Sequence, residues 1–460
     1  MFNDISHLIQ DNHPRLSYGV AATDIDGDGL PEFVVTGFGD RNLVLDWDGG
    51  SETLVDVTPE SIADPTRRSI GIAAGDVDGN GREEIYVLNS DTFMGMKRFG
   101  DRFFALDRDD RWIDLFDLPI NLENPNLTAG RSVLALDPDG SGYYRIVVAN
   151  YGGPLRIHQV SEDRRVSDIA PKLGIELMTG GRSLCTIPDI TDYPALFCGN
   201  ENDANALWVR DASGNWTERA REYGIADASG HARGVAVCDS NNDGLLDLIL
   251  GNWEGPQRLF ERTRDDAGTL RFVNRASAEM QAPGRVRTVV AADFDNDGRT
   301  EVFFNMLDEP NRLFRVERAG ITPIDLGASA ESDLPGTGAA VADIDGDGLL
   351  ELLVAHGERE AQPLSLYRAA DAGQNHFLRV IPLTRYGAPA RGALVYLYSG
   401  DDRQVRIVDA GSGYLCQMEA VAHFGLGSRD SVDAIEIIWP GGTRRRIDNP
   451  RIDCEIEVGQ

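Results

Sequence analysis

The stretch DIDGDGLPE, from Asp24 to Glu32, places four acidic side chains on one short loop. Aspartates occupy its first, third and fifth positions, a glycine occupies the sixth, and a glutamate closes it at the ninth. Carboxylates this close together repel one another unless a cation lies between them, and Ca²⁺ requires six to eight oxygen ligands. The spacing therefore predicts a calcium-binding loop.

Related loops recur along the chain. The pattern returns as DVDGNGREE at Asp76, DSNNDGLLD at Asp239, DFDNDGRTE at Asp293 and DIDGDGLLE at Asp343. A degenerate copy, DPDGSGYYR, begins at Asp137, and a weaker one, IPDITDYPA, begins at Ile187. The seven starting points lie 50 to 61 residues apart, which predicts seven copies of one structural unit. The loops are numbered 1 to 7 in chain order below.

Each repeat contains about four short runs of β-forming residues bounded by turn residues, as in YGVAAT, EFVVTG, NLVLDWD and TLVDVT of the first. Seven such repeats predict an all-β fold with a seven-bladed β-propeller, and an open solenoid is the alternative. The run FNDIS at Phe2 matches the last run of the other repeats, and no such run follows the seventh loop. We therefore expect the N-terminal strand to complete the last blade and close the ring.

An EF-hand begins with the same spacing but needs a glutamate at position 12, where these loops have apolar residues such as Val35 and Phe304. Calcium loops at β-hairpin turns are predicted instead. Side chains at positions 1, 3, 5 and 9 and the carbonyl at position 7 are the expected ligands: Asp24, Asp26, Asp28, Leu30 and Glu32; Asp76, Asp78, Asn80, Arg82 and Glu84; Asp239, Asn241, Asp243, Leu245 and Asp247; Asp293, Asp295, Asp297, Arg299 and Glu301; Asp343, Asp345, Asp347, Leu349 and Glu351. Loop 3 has Arg145 in place of the last acid and loop 4 has lost most of the pattern, so about five structural Ca²⁺ sites are expected.

The composition limits the classes of partner. The formal net charge is −31 over 460 residues, which argues against nucleic acid as a general partner. The five intact loops hold 18 acids at positions 1, 3, 5 and 9, so the acidity is largely a metal requirement. No apolar run is long enough for a membrane span, and the N-terminus shows no leader. The expected location is cytoplasmic as written, or periplasmic or extracellular if a leader was removed.

Five cysteines form an odd set without metal-type spacing: Cys185, Cys198, Cys238, Cys416 and Cys454. Reduced, mostly buried thiols are predicted. A hairpin would bring Cys185 near Cys198, which leaves a disulfide between them open.

The repeats resemble the FG-GAP/VCBS repeat of integrin-like propellers, through DIDGDGLPEFVV and its copies over about residues 1–370. That resemblance implies calcium between the first and second strands of each blade, on one face of the disc.

From about Gln374 the runs HFLRVIPL, GALVYLYSG, RQVRIVDAG, AIEIIWPGG and CEIEVGQ predict a small β-sandwich or barrel. RGALVYLYSG, GSGYLCQMEAVAHFGLG and IEIIWPGGTRRR resemble the ASPIC/UnbV module of the cartilage acidic protein family, whose members are usually exported. The expected domains are 1–372 and 373–460, and a structural role is expected for His423.

The opposite face of the predicted disc has a cationic character. Residues entering each first strand, and the ends of the second strands, should gather there around one candidate funnel: Arg67, Arg68, Arg131, Arg182, His231, Arg233, Arg287 and His356. Guanidinium groups suit carboxylate or phosphate, although pairing with acids of neighbouring blades is the alternative. The sequence thus predicts a calcium-stabilised scaffold that binds a protein, glycan or small anion. An enzyme using His231, His356 or Tyr18 in the funnel and a purely structural adhesion protein are the competing hypotheses, and no catalytic motif is recognisable.

Overall fold

The computed structural model describes residues 1–175, 178–266, 268–332, 334–370 and 375–460, and it is nearly all β. Antiparallel strands form seven four-stranded blades of a β-propeller, with neighbouring blades 3 and 4, and 5 and 6, joined into continuous sheets. In chain order the strands of blades 1 to 6 are Ser17–Thr23, Glu32–Gly37, Leu43–Asp48 and Thr53–Asp56; Ser69–Gly75, Glu84–Asn89, Arg102–Leu106 and Trp112–Asp114; Gly130–Leu136, Arg145–Pro154, Arg156–Val160 and Val166–Asp168; Met178–Ile187, Ala195–Asn200, Ala206–Arg210 and Trp216–Glu218; Ala232–Cys238, Asp247–Gly255, Arg258–Arg264 and Leu270–Asn274; Gly284–Ala292, Glu301–Met306, Arg312–Glu317 and Gly320–Pro323.

Blade 7 combines Gly336–Ala342, Glu351–His356 and Ser365–Ala369 with an outer strand from the other end of the chain, Phe2–Asp4. Short helices interrupt the connections: α-helices Glu60–Ala63, Ala170–Leu173 and Ala220–Tyr223, and 3-10 helices Ser6–Leu8, Leu115–Asp117 and Ala328–Ala330. Among the described residues, no helix combines the length and apolar character that crossing a membrane requires.

The N-terminal strand closes the ring, as predicted. Phe2 pairs with Ala369 of blade 7, is 4% exposed, and meets the Phe294 ring edge-on with 4.9 Å between centroids. Apolar residues of blades 1 and 7, including Val20 and Leu353, share one buried cluster. The propeller is therefore closed rather than an open solenoid, and its edge strands are paired.

Replacing Phe2 with Ala is expected to lower the free energy of unfolding by about 3 kcal/mol, because a buried aromatic ring leaves a cavity at the closure. Urea denaturation followed by fluorescence measures the change. The neighbouring Asn3 is exposed, so Asn3→Ala is the matched control. A Phe2→Ala protein as stable as the control would show that this strand does not fasten the ring.

Seven strands in two sheets form a C-terminal β-sandwich. One sheet contains Ala422–Gly427, His376–Leu383 and Glu455–Gly459, and the other contains Asp402–Ile407, Leu394–Ser399, Ala434–Ile438 and Arg444–Asp448. Leu378, Val395 and Phe424 are among the residues of its own buried core. The predicted boundary between residues 372 and 373 falls in the segment 371–374, outside the described residues.

The sandwich sends residues 409–419, here called the plug, into the central channel of the propeller. Backbone bonds link the plug to inner strands of five blades: Ala22, Ile72 and Ala135 donate to Gln417, Leu415 and Ala410, Val235 exchanges two bonds with Gly413, and Glu419 donates to Val341. A Cβ on Gly19 would lie 2.4 Å from the Leu415 carbonyl oxygen, so that position has room for no side chain. The plug thus fills the channel.

Four of the five cysteines are buried, as predicted, and Cys454 is partly exposed. Cys185 lies opposite Phe197 and Cys198 lies opposite Leu184 in the antiparallel pair of strands. This one-residue offset points the two thiols to opposite faces of the sheet. The disulfide that the sequence left open is therefore excluded.

Candidate functional site

Each predicted calcium loop connects the first and second strands of its blade. In loop 1, Asp24 Oδ1 accepts from the Gly27 amide at 2.5 Å and Asp24 Oδ2 accepts from the Gly29 amide at 3.1 Å. Gly29 has φ of +99°, which explains the glycine at position 6. The bond from the position-6 glycine to the first aspartate recurs in loops 2, 3, 5, 6 and 7.

The carboxylates in these loops are arranged as a metal would require. In the described part of the chain, oxygens of three acids lie within 4.8 Å of one another in loops 1, 2, 6 and 7. Each of these four loops also holds one buried carboxylate oxygen without a hydrogen-bond partner, on Glu32, Asp78, Asp293 and Asp343. A buried charged oxygen without a partner is costly, and a divalent cation would supply the missing interaction. The residues present therefore fit Ca²⁺.

Burial also shifts the titration of these acids. It raises the pKa of Glu32 to about 8 and that of Glu301 to about 8, with neighbouring carboxylates adding to the shift. In loops 6 and 7, burial raises the pKa of Asp293 and of Asp343 to about 7. Without a cation, these loops hold protons near neutral pH.

Calcium uptake at pH 6.5 is expected to release protons, because Glu32 and Glu301 are mostly protonated there without the ion. Calcium affinity should fall as the pH decreases from 8 to 6. The ion-free fold should instead lose stability as the pH rises from about 4.5 to about 8, because in that range the folded chain holds protons on Glu32 and Glu301 that the unfolded chain has released. Calorimetry in two buffers of different ionisation enthalpy measures the release, and an identical heat in both would contradict the expectation.

Arginines that the sequence analysis missed lie against some of the loops. Arg315 contacts Glu301 at 2.8 Å and Asp295 at 3.0 Å in loop 6, and Arg368 contacts Asp345 at 2.6 Å in loop 7. Both come from the third strand of the blade, opposite the ninth loop position. In the degenerate loop 3, Arg145 pairs with Asp139 at 3.1 Å, so a guanidinium replaces part of the acidic pattern.

At the other end of the channel, all seven inner strands carry a register irregularity near their first residue. A bulge re-aims the residue that it contains. The bulges contain one residue at an equivalent position in each blade: Tyr18, Ile70, Arg131, Arg182, Arg233, Arg287 and Thr337. All of these except Thr337 line one cavity of about 460 Å³.

We call this cavity, together with its lining, the arginine mouth. Its lining combines arginines, carboxylates and aromatic rings: Arg68, Arg131, Arg182, Arg233 and Arg287; Asp91, Glu201 and Glu358; Tyr18, Phe38, Phe93, Trp253 and Tyr414. Five guanidinium groups face three carboxylates, a formal excess of two positive charges in a protein of net charge −31. Tyr414 belongs to the plug, so the plug forms part of the lining.

Some of these arginines are paired and some are not. Glu201 lies between Arg182, whose Nε donates to it at 2.6 Å, and Arg233. Burial raises the pKa of Glu201, but the two guanidiniums outweigh this and lower it to about 2. Arg287 pairs with Glu358 at 2.7 Å. Three arginines of the mouth are therefore ion-paired: Arg233 and Arg287 pair with acids of neighbouring blades, and Arg182 pairs within its own blade.

Arg131 is different, because no carboxylate of the described chain pairs with it. Its guanidinium donates to Ser90 Oγ and to the carbonyl oxygens of Thr92 and Phe93. Burial and the nearby Arg182 and Arg233 lower the pKa of Arg131. This buried cation is the clearest place for an outside anion.

Aromatic rings hold the guanidinium groups in place. Arg182 lies 4.1 Å from the ring centroid of Tyr151, and Arg233 and Arg287 lie 5.3 and 4.9 Å from that of Trp253. Burial raises the pKa of Tyr414, but the four surrounding arginines lower it below its ordinary value overall. The guanidinium groups of the mouth are thus packed against aromatic rings.

Three residues expected in the funnel lie outside the lining of the mouth: Arg67, His231 and His356. Arg67 lies 3.6 Å from Asp64 and stacks over the Phe99 ring. His356 is buried, with Nε2 3.0 Å from Ser365 Oγ. Arg67 and His231 lie nine and eight residues before the start of their loops, whereas the four bulge arginines lie five or six residues before theirs. His356 is the last residue of the second strand of blade 7.

The acid–base groups suggested for an enzyme are therefore not brought together. Tyr18 lines the mouth without either histidine, and burial raises its pKa. Asparagines at the second-strand ends close local loops instead of facing a ligand, since Asn150 and Asn252 each donate to a carbonyl four residues on. His423 is buried with Nε2 2.6 Å from Asn296 Oδ1, the structural role that was expected.

Comparison with known proteins gives consistent matches. A family model described as ASPIC and UnbV matches residues 384–460, and one described as FG-GAP-like repeat matches residues 24–87 and 241–304. Cartilage acidic protein 1 of Xenopus tropicalis is 41% identical over 464 residues, which cover 94% of this chain and 71% of that protein. Cartilage acidic protein 1 of Homo sapiens is 41% identical over 482 residues, which cover 97% and 72%.

A solved structure also matches the chain at low sequence identity. The crystal structure of BBS1N in complex with ARL6DN, soaked with mercury, contains a chain that is 10% identical to this one. The two superpose with a TM-score of 0.48 over 77% of this chain and 94% of that one.

Proposed function

The chain belongs to the cartilage acidic protein family, and from that premise we propose that it is a calcium-stabilised scaffold that binds an anionic group in the arginine mouth. The partner carrying the anion is a protein, a glycan or a small molecule. The ions are about five Ca²⁺, one for each intact loop.

The calcium part is supported by chemistry that repeats from blade to blade. Hard oxygen ligands at positions 1, 3, 5 and 9 suit Ca²⁺ better than softer transition metals. The partnerless buried oxygens of Glu32, Asp78, Asp293 and Asp343 indicate that hydrogen bonds within the protein leave a place for the ion. The ions act structurally, because they join the first and second strands of the five blades with intact loops.

One observation supports the anion part above all others. Four consecutive blades place an arginine in the same bulge position, and all four guanidinium groups share one cavity with Arg68. Like charges so close together destabilise the fold unless they serve a ligand or are paired, and the mouth has fewer carboxylates than arginines. A concave cationic surface concentrates anions and orients their oxygens.

Replacing Arg131, Arg182 and Arg233 together with Ala is expected to weaken binding of sulfate, phosphate and acetate at least tenfold, because most of the positive charge of the mouth is removed. The control replaces the exposed Arg108, Arg165 and Arg221 with Ala, which changes the net charge equally. Titration calorimetry measures binding, and circular dichroism verifies the fold. Equal affinities in the folded triple variant and the control would refute the proposed site.

A location outside the cytoplasm follows from the same proposal. Calcium loops of extracellular modules fill at about 0.1 to 1 mM Ca²⁺, a concentration that the cytoplasm does not sustain. Fractionation of the native host tests the location. Recovery of the protein with cytoplasmic markers alone would contradict it.

A further inference from the structure

We propose that the arginine mouth binds a single tetrahedral oxyanion, a sulfate or phosphate ester, carried on a side chain of a protein segment. This inference rests on the anion-binding function proposed above and names the class of ligand and the kind of partner.

The arrangement of the arginines supports a tetrahedral group. Arg131, Arg182, Arg233 and Arg287 occupy one bulge position in four neighbouring blades, so they approach the propeller axis from successive directions. A tetrahedral oxyanion presents three or more acceptor oxygens around an axis, whereas a carboxylate presents two in one plane. The excess of two positive charges in the lining equals the charge of an ionised phosphate ester.

Glu201 acts as an internal competitor in this arrangement. It pairs with Arg182 and Arg233 and so occupies donors that a ligand would use. Arg131 has no such carboxylate, so an incoming oxyanion is expected to meet it first. Removing the charge of Glu201 should therefore strengthen binding, while removing Arg131 should weaken it. A change in ligand affinity of opposite sign for the Arg131 and Glu201 variants distinguishes a ligand site from a structural ion-pair network.

The rim of the mouth indicates what carries the oxyanion. Phe93 is 67% exposed, Met94 is 59% exposed and Met96 is 84% exposed, on one loop beside the cavity. The Phe93 ring also lies within 5.5 Å of the Arg131 guanidinium and of the Tyr151 ring. Three adjoining exposed apolar side chains next to cations favour a ligand with an apolar group beside its charge.

The net charge of the whole molecule further limits which classes of partner can bind. The net charge of −31 repels a long polyanion, even though the mouth itself is cationic. One oxyanion on an otherwise uncharged or apolar segment avoids that repulsion. A modified protein side chain satisfies both conditions, and a sulfated polysaccharide satisfies neither.

The test uses the full chain loaded with calcium and titration calorimetry with small amides as probes. N-acetyl-O-phosphotyrosine amide and N-acetyl-O-sulfotyrosine amide are compared with N-acetyltyrosine amide, N-acetylglutamate amide, inorganic phosphate and a heparin oligosaccharide. At least one of the two ester amides is expected to bind ten times more tightly than the glutamate amide or inorganic phosphate.

Two single variants provide the decisive comparison. Arg131→Met should weaken binding of the better ester amide at least tenfold, and Glu201→Gln should strengthen it at least threefold. Glu254→Gln is the control, because Glu254 pairs with Arg285 and does not line the mouth. Melting temperatures establish that each variant is folded. If Arg131→Met does not fold, Arg131→Lys replaces it, since lysine lacks the planar fork and should also weaken binding.

Several results would overturn the inference while the proposed function stands. If the glutamate amide bound as tightly as the ester amides, the mouth would be a carboxylate site. If inorganic phosphate bound as tightly as the ester amides, the claim that a protein side chain carries the oxyanion would be wrong. Tighter binding of the heparin oligosaccharide at the same arginines would assign a glycan. Weaker binding by Glu201→Gln would contradict the competitor role. No saturable binding of any anion would refute both the inference and the proposed function.

Discussion

Removing calcium with a chelator is expected to lower the melting temperature by about 10 °C or more, the largest effect that the structure predicts. An ion that binds only the folded state adds about 3 to 4 kcal/mol when its concentration is 100 to 1,000 times the dissociation constant. Five intact loops multiply this contribution. Without the ions, the acids within one loop remain close together, and buried acids such as Glu32 of loop 1 and Asp293 of loop 6 each keep an oxygen without a hydrogen-bond partner.

Loop 3 supplies the matched control for this prediction. Asp78→Asn in loop 2 should reduce the calcium-dependent part of the melting temperature, because it alters a ligand with a partnerless buried oxygen. Asp139→Asn in loop 3 should leave that part unchanged, since Asp139 pairs with Arg145. Differential scanning calorimetry with and without calcium measures both. Equal calcium-dependent shifts in the two variants would contradict the assignment of intact and degenerate loops.

Replacing Arg391 with Met is expected to lower the free energy of unfolding by about 3 to 5 kcal/mol. Arg391 is fully buried between the C-terminal sandwich and blade 2, and it makes a bidentate ion pair with Glu83, at 2.6 and 2.9 Å. It also donates to the carbonyl oxygens of Asp409 and Met418, at the two ends of the plug. The variant therefore leaves a buried carboxylate uncompensated and releases the plug.

The companion variant separates these two effects. Adding Glu83→Gln to Arg391→Met removes the uncompensated charge and should recover part of the lost stability, because the two groups are directly coupled. Exposed Arg451→Met is the control for the residue change itself. Chemical denaturation of the calcium-loaded chain compares the original chain with the two single variants, Arg391→Met and Glu83→Gln, with the double variant and with the control. Strictly additive losses would show that Arg391 and Glu83 do not stabilise each other.

Much of the propeller could be predicted because its information is local and repeated. The DIDGDGLPE pattern marks one turn of each blade, and the run at Phe2 repeats the last strand of the others. The mouth could be predicted in outline for the same reason, since Arg131, Arg182 and Arg233 lie at nearly the same distance before their loops. In a repeat protein, residues at the same position of each repeat occupy equivalent places in the fold.

The remainder depends on contacts between distant segments. Nothing local in residues 409–419 indicates that this glycine-containing stretch enters the channel, because its partners lie in five different blades. His356 follows the same chain spacing as other strand ends, yet it is buried beside Ser365 rather than exposed to the cavity. The side chains of Cys185 and Cys198 in blade 4 lie on opposite faces of the sheet, because the register of the two strands is offset by one residue from the one that would pair them.

The central claim is that clustered carboxylates at the blade turns hold divalent ions. Elemental analysis by mass spectrometry tests it directly, on the purified full chain after equilibrium dialysis against about 10 mM Ca²⁺, with the calcium content of the outer buffer subtracted. About five Ca²⁺ per chain are predicted, one for each intact loop. Fewer than about two would contradict the claim, because the repeated oxygen ligands would then have another purpose.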